Sequence, residues 1–205
     1  LSWKKYHEYL FAYVALGLLW SVGSALTLFS RNSTVVEAGL TLFSVSPMLA
    51  THFIVLYSYS FLEREEKKLR LFKVLSYFAI LIGAAVCVLN LDLLFPIRFI
   101  SETGINDITV SRIPYSIYSL YFISLFQIAY FIHMKAIREE KDHDAKKKYI
   151  YSYISIFLVG LIGMVSNLGT PAITGSMHIV WLGPLVGLIF VFTSVYAILT
   201  QNLFD

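Results

Sequence analysis

Thirteen of the sixteen lysines and arginines in this 205-residue chain fall in alternate gaps between six long apolar stretches. Lys4 and Lys5 precede the first stretch, and Arg64, Lys67, Lys68, Arg70 and Lys73 surround the second gap. Lys135, Arg138, Lys141, Lys146, Lys147 and Lys148 fill the fourth gap, whereas the odd-numbered gaps hold only Arg31, Arg98 and Arg112. Cytoplasmic loops of membrane proteins are enriched in Lys and Arg, and short translocated loops are poor in them. The alternation therefore predicts a membrane protein, a helix count and an orientation with both ends of the chain inside.

The stretches are 9–30, 35–62, 71–90, 114–134, 149–168 and 178–200. A hydrocarbon core about 30 Å thick needs roughly 20 apolar residues per helix, and each stretch is long enough. The expected fold is all-α: one polytopic bundle of six transmembrane helices over residues 1–205. Strand-like alternation is missing from the sequence, which argues against an outer-membrane barrel. Only 14% of residues are charged, and no basic domain exists to bind nucleic acid. Cys87 is the only cysteine and falls inside a stretch, so no intrachain disulfide or cysteine metal cluster can form. The lipid bilayer is the one partner that composition itself requires.

Polar groups inside the hydrocarbon are costly, so their positions carry information. Glu37 falls near the outer end of the second stretch, where it either reaches the interface or contacts a ligand cation. His52 sits deeper in the same stretch, beyond Pro47, and reads either as a packed, hydrogen-bonded side chain or as a ligand contact. Tyr115 and Tyr118 lie near the outer entrance of the fourth stretch, three residues apart, where they anchor the helix at the headgroups or rim a pocket. Asn167 is expected to cap the fifth helix beside the turn-rich Gly169-Thr170-Pro171. Glu37, Tyr115, Tyr118 and Asn167, together with Trp181, form the candidate ligand site in the outer half of the bundle, with His52 below them. The depths of His52, His133 and His178 do not pair, so haem is not expected, and no cofactor or metal is assigned. Asp142-His143-Asp144 reads as a solvated loop. Gly183-Pro184-Leu185-Val186-Gly187 contains a small-xxx-small pair that allows close helix approach, and Pro184 supplies a candidate pivot.

The run from Trp181-Leu182-Gly183-Pro184-Leu185 through Tyr196-Ala197-Ile198 to Leu203-Phe204-Asp205 resembles the last helix of the N-terminal seven-helix membrane region of bacterial sensor histidine kinases. Trp20-Ser21-Val22-Gly23-Ser24-Ala25 resembles that family's second helix, and Ser46-Pro47 falls where its third often carries a proline. Asn90 leading to Pro114-Tyr115 resembles its fourth loop, and Asn167 matches an asparagine frequent in its sixth helix. The resemblance implies that the family's first helix would precede Leu1 and that its output module would follow Asp205. On that expectation the chain is a fragment and does not itself phosphorylate anything.

What the resemblance implies is a sensor in the bacterial cytoplasmic membrane, its C-terminus inside. A stimulus, an unidentified small molecule outside or in the bilayer, is relayed through the last helix to a covalently attached cytoplasmic output domain such as a histidine kinase. Gly183, Pro184, Gly187, Leu203, Phe204 and Asp205 are the expected transmission residues. Two other readings stay open. One is a small transporter or channel, for which the mid-membrane polar set is thin. The other is a structural anchor that dimerises its output domain, with a second copy of the chain as partner.

Overall fold

The computed structural model describes residues 3–62, 91–96, 98–99 and 106–177, together with 72, 74, 77–78, 80–81, 83–85 and 182. The long elements are α1 (Trp3–Phe29), α2 (Ser33–Tyr59), α4 (Arg112–Glu139) and α5 (His143–Gly163). Between α2 and α4 lie the single turn α3 (Leu91–Leu94) and strands β1 (Arg98–Phe99) and β2 (Asp107–Ile108). After α5 come a π-helical segment (Met164–Gly169) and α6 (Thr170–Thr174). The described residues between 72 and 85 are all helical. Among the described residues the elements are helical apart from a two-residue antiparallel ladder, Arg98 opposite Ile108 and Phe99 opposite Asp107, and the bridge of Thr109 with Ser176.

Among the described residues three helices are long and apolar enough to cross a membrane: Glu8–Phe29, Ser33–Tyr59 and Arg112–Glu139. Their burial pattern suits a hydrocarbon solvent. Ile113, Ile117, Leu120 and Phe131 stand exposed along one side of α4, whereas Ser119 and His133 face inward. Most of the sixth apolar stretch, with Trp181, Gly183, Pro184, Gly187, Leu203, Phe204 and Asp205, lies outside the described residues.

Helix ends differ from the apolar boundaries for local reasons. The helix α2 starts where the Asn32 side chain accepts from Thr34 N–H (3.0 Å) and Val35 N–H (3.4 Å). Pro114 is tolerated two residues into α4, because the first N–H groups of a helix have no intrahelical acceptor. The charged region 135–148, expected as a loop, shrinks to the turn 140–142. There Glu140 Oε1 accepts from Lys141 N–H (2.8 Å) and Asp142 N–H (2.9 Å), and Asp142 caps α5 by accepting from Asp144 N–H (3.1 Å).

The helices α1 and α2 run antiparallel, as do α4 and α5, while α2 and α4 lie parallel, with Ser44 beside Tyr118 and Tyr57 beside His133, so the bundle has a basic end, near Lys135 and Lys147, and a loop end, near Asn32 and Asn106. At the basic end, Ser152 joins α5 to α2 and α4: its hydroxyl is 2.9 Å from Tyr57 Oη and 3.4 Å from His133 Nε2. At the loop end, residues 106–111 stitch distant pieces together. Val110 N–H donates to Gly175 O (2.9 Å), Met177 N–H to Ile108 O (3.1 Å) and Ser111 N–H to Leu94 O (2.9 Å).

Asn106 closes the end of α1. The last carbonyls of a helix lack intrahelical donors. Here the buried Asn106 Nδ2 donates to Thr27 O (2.9 Å) and Ser30 O (2.8 Å), while its backbone N–H donates to Leu28 O (2.9 Å). Replacing Asn106 with leucine removes both side-chain donors and keeps the backbone one. The expected cost is about 2 kcal/mol, the scale of buried carbonyls left unsatisfied. Thermal unfolding in detergent checks this, and an unchanged midpoint would show that water serves the two carbonyls equally well.

Candidate functional site

A cavity of about 280 Å³ lies between α1, α2, α4 and the α5–π segment. Two of its walls carry a departure from regular α-helical hydrogen bonding, one a proline and the other a π-helical turn. Proline lacks an N–H and crowds the carbonyl four residues back, so a helix that contains one loosens locally. The helix α2 contains Pro47, which lines the cavity, and it stays α-helical from Ser33 to Tyr59. Just past the fifth stretch stands Pro171, and the turn before it widens into the π segment. Thr170 N–H there reaches back five residues to Val165 O. The helix does not end at Asn167, as the Gly169-Thr170-Pro171 run suggests. It continues to Thr174 and stops at Gly175, whose φ of +79° is a left-handed conformation suited to glycine.

Both of these walls are tied to α4 by tyrosines. Tyr115 Oη donates to Asn167 O at 2.6 Å, the carbonyl four residues before Pro171, to which that proline cannot donate. Tyr118 Oη donates to Ser44 O at 2.8 Å, in the turn that precedes Pro47. Residues three apart share one face of a helix, so one side of α4 serves both neighbours. Tyr115 is fully buried, and its ring packs on Phe95 (centroids 6.1 Å apart) and Tyr118 (5.6 Å).

The cavity wall is apolar, and its described lining residues include no charged side chain. Two polar atoms of lining residues are buried without a hydrogen-bond partner: Trp20 Nε1 and Asn167 Oδ1. The orientation of the Asn167 amide follows from its neighbour. The single Ser166 hydroxyl proton goes to Ile162 O (2.8 Å), so Ser166 Oγ can only accept from Asn167 Nδ2 (2.9 Å). The carbonyl oxygen of the amide is therefore the atom left over. Gly17, which also lines the cavity, leaves open space, since a Cβ built there meets nothing within 4 Å.

Of the six candidate ligand-site residues, Tyr115, Tyr118 and Asn167 come together at this cavity. Glu37 is exposed at the loop end of α2 and does not line it. His52 is fully buried on another side of α2, stacked on Phe72 (5.4 Å, 12° between planes) and edge-on to Phe53 (5.9 Å). Trp181 lies outside the described residues. Trp20 and Gly17 were not legible as site residues, although one signal was available. Tryptophan concentrates at membrane interfaces, and Trp20 falls midway along its apolar stretch. Comparison with protein-family models, curated proteins and solved structures finds no match to this chain.

Proposed function

We propose that the chain is an integral-membrane sensor module of six spans whose cavity receives a stimulus dissolved in, or arriving through, the outer half of the bilayer. The observation that carries this reading is the cavity itself, walled by the Pro47-containing helix α2 and by the π-helical segment Met164–Gly169. A π-helical turn is a local register defect that recurs at functional sites. An occupant shifts a switch only by binding its two states with different affinity. The Lys and Arg distribution supports placing the basic end in the cytoplasm, with the last apolar stretch, 178–200, entering the membrane from the loop end and leaving on that side.

The transmitter in this reading is that last stretch. Residues 175–177, which lead into it, pair with 108–110, and the same loop holds the end of α1 through Asn106. A displacement of the cavity walls at the loop end therefore has a hydrogen-bonded route to the segment that joins a cytoplasmic output domain such as a histidine kinase. Inserting one, two or three residues after Asn202 in the full-length protein rotates whatever follows by about 100° per residue. Output is expected to uncouple from stimulus across that series. Unchanged signalling in all three insertions would overturn the transmission route.

A further inference from the structure

We infer that the cavity is a slot for an acyl chain of a bilayer lipid, entered sideways between α1 and the α5–π segment. The inference rests on the reading of the chain as a membrane module with this cavity as its receptor site, and it names what fills that site. The cavity has a closed back and an open front. At the back, Phe43, Tyr115 and Phe122 are buried. At the front, Leu18 also lines the cavity and is 53% exposed, while Gly17, Gly163 and Met164 are partly exposed. Across that front α1 and α5 do not interlock: a Cβ built on Gly163 would meet Trp20 at 3.8 Å, an ordinary van der Waals distance.

Depth and shape then select the occupant. On α1 the lining residues run from Tyr13 to Ser21, inside the apolar span Glu8–Phe29 and away from both of its ends. The mouth therefore faces hydrocarbon, and what enters comes from the hydrocarbon layer. On α1 (Tyr13 to Ser21) and on α2 (Phe43 to Thr51) the lining covers about 12 Å along the bundle at 1.5 Å per residue. A dry cavity of about 150 Å³ holds one benzene, so one of about 280 Å³ has room for on the order of ten carbons. Drawn out along the helices, that space suits a chain better than a compact ring.

The wall disfavours the other occupants. No described lining residue is charged, so an ion finds no counter-charge. An ordered water needs two to four polar partners, which an apolar wall does not supply. A small apolar solute fits the wall but gains little by leaving the bilayer, because lipid tails are as apolar as the protein. Acyl chains need no such gain, since they are the solvent at the mouth and fill the slot by mass action. A chain there restores the dispersion contacts that the open space beside Gly17 forfeits. The stimulus in this reading is a change in the bilayer's own chains.

Trp20 lines the slot and reports on it. The chain has three tryptophans, so Trp3→Phe combined with Trp181→Phe leaves Trp20 as the sole one. That variant is reconstituted into phosphatidylcholine vesicles with plain chains, or with chains brominated near the ester or near the terminal methyl, bromine being a contact quencher of tryptophan fluorescence. Trp20 falls midway along its span, so bromine near the terminal methyl is expected to quench it more strongly. Adding Gly17→Leu, whose side chain fills the slot, is expected to restore most of the lost fluorescence. Gly163→Leu, which narrows the mouth from the other side, serves if Gly17→Leu fails to fold. A tryptophan on the exposed face of α1, Leu19→Trp in a Trp20→Phe background, is expected to stay quenched with or without the Gly17 replacement. Quenching of Trp20 that neither glycine replacement reduces would overturn the proposal in favour of contact with surrounding lipid only. Absence of quenching in a folded protein would overturn it too. Recovery of fluorescence on adding a small mole fraction of cyclohexane would overturn it in favour of a dissolved solute. The readout is separate from signalling. Quenching abolished by Gly17→Leu, with output indifferent to insertions after Asn202, would keep the slot and remove the sensor reading. The converse pair of results would remove the slot and keep the sensor.

Discussion

Replacing Gly39 with valine is expected to drive α1 and α2 apart and to cost about 3 kcal/mol or more, at the upper end of what overpacking exacts. A Cβ at Gly39 would sit 2.7 Å from Thr27 N, 2.7 Å from Thr27 Oγ1 and 2.9 Å from Leu26 Cβ. The contact is reciprocal: a Cβ at Gly23 would sit 2.7 Å from Phe43 N and 2.9 Å from Gly39 O. The two backbones touch, so no side-chain rotation relieves the clash and the helices must separate as rigid bodies. Between membrane helices that loss is severe, because close packing rather than hydrophobic burial holds them together. Gly17→Ala, on the same helix α1 but facing open space, is the control. It is expected to match or exceed the wild-type midpoint, since alanine is favoured over glycine in a helix by roughly 1 kcal/mol. Thermal unfolding in detergent, followed by circular dichroism, compares the two. A Gly39→Val midpoint equal to that of Gly17→Ala would show that the α1–α2 contact is looser than the geometry states.

The second large effect is expected at Tyr115. Truncation to alanine empties a fully buried ring position and is expected to cost about 3–5 kcal/mol. Tyr115→Phe separates the hydroxyl from the ring. It leaves Asn167 O without the donor at 2.6 Å and is expected to cost about 1–3 kcal/mol, the scale of a buried acceptor left unpaired. A double-mutant cycle tests the cause. In a Pro171→Ala background residue 171 has an N–H to offer the same carbonyl, so Tyr115→Phe is expected to cost measurably less there. Equal costs in both backgrounds would detach the tyrosine from the proline.

The main helices were legible because an apolar run of 20 or so residues has few other options in lipid, where every backbone polar group must be satisfied internally. Four of the six apolar stretches coincide with α1, α2, α4 and α5. Their ends were less legible. Apolar length marks the part of a helix that lipid can cover, whereas the helix itself stops where a cap stops it, as at Asn32, Asp142 and Gly175. Gly169-Thr170-Pro171 reads as a turn by local preference. It remains helical because a widened turn and the hydroxyl of Tyr115, more than fifty residues away in sequence, satisfy what the proline cannot.

The candidate site divides along the same line. Tyr115, Tyr118 and Asn167 were legible as polar side chains inside apolar stretches, and they share one cavity. Glu37 and His52 satisfied the same criterion and point elsewhere, because nearly uniform apolarity around a helix leaves no stripe to tell which side faces the bundle. Gly17 was invisible for a further reason: its role is the space beside it, and that space belongs to the helices opposite.

The sequence by itself determined that this chain is helical and built for lipid, through the lengths of its apolar runs, and predicted which ends carry the positive charge. Only the tertiary structure decided which faces of those helices meet, how a proline-disturbed carbonyl finds a tyrosine, and that a donor and an acceptor are left over beside an apolar cavity. Length and charge act along the chain and can be read from it. A hydrogen bond between distant segments, or the lack of one, exists only once packing has chosen the neighbours.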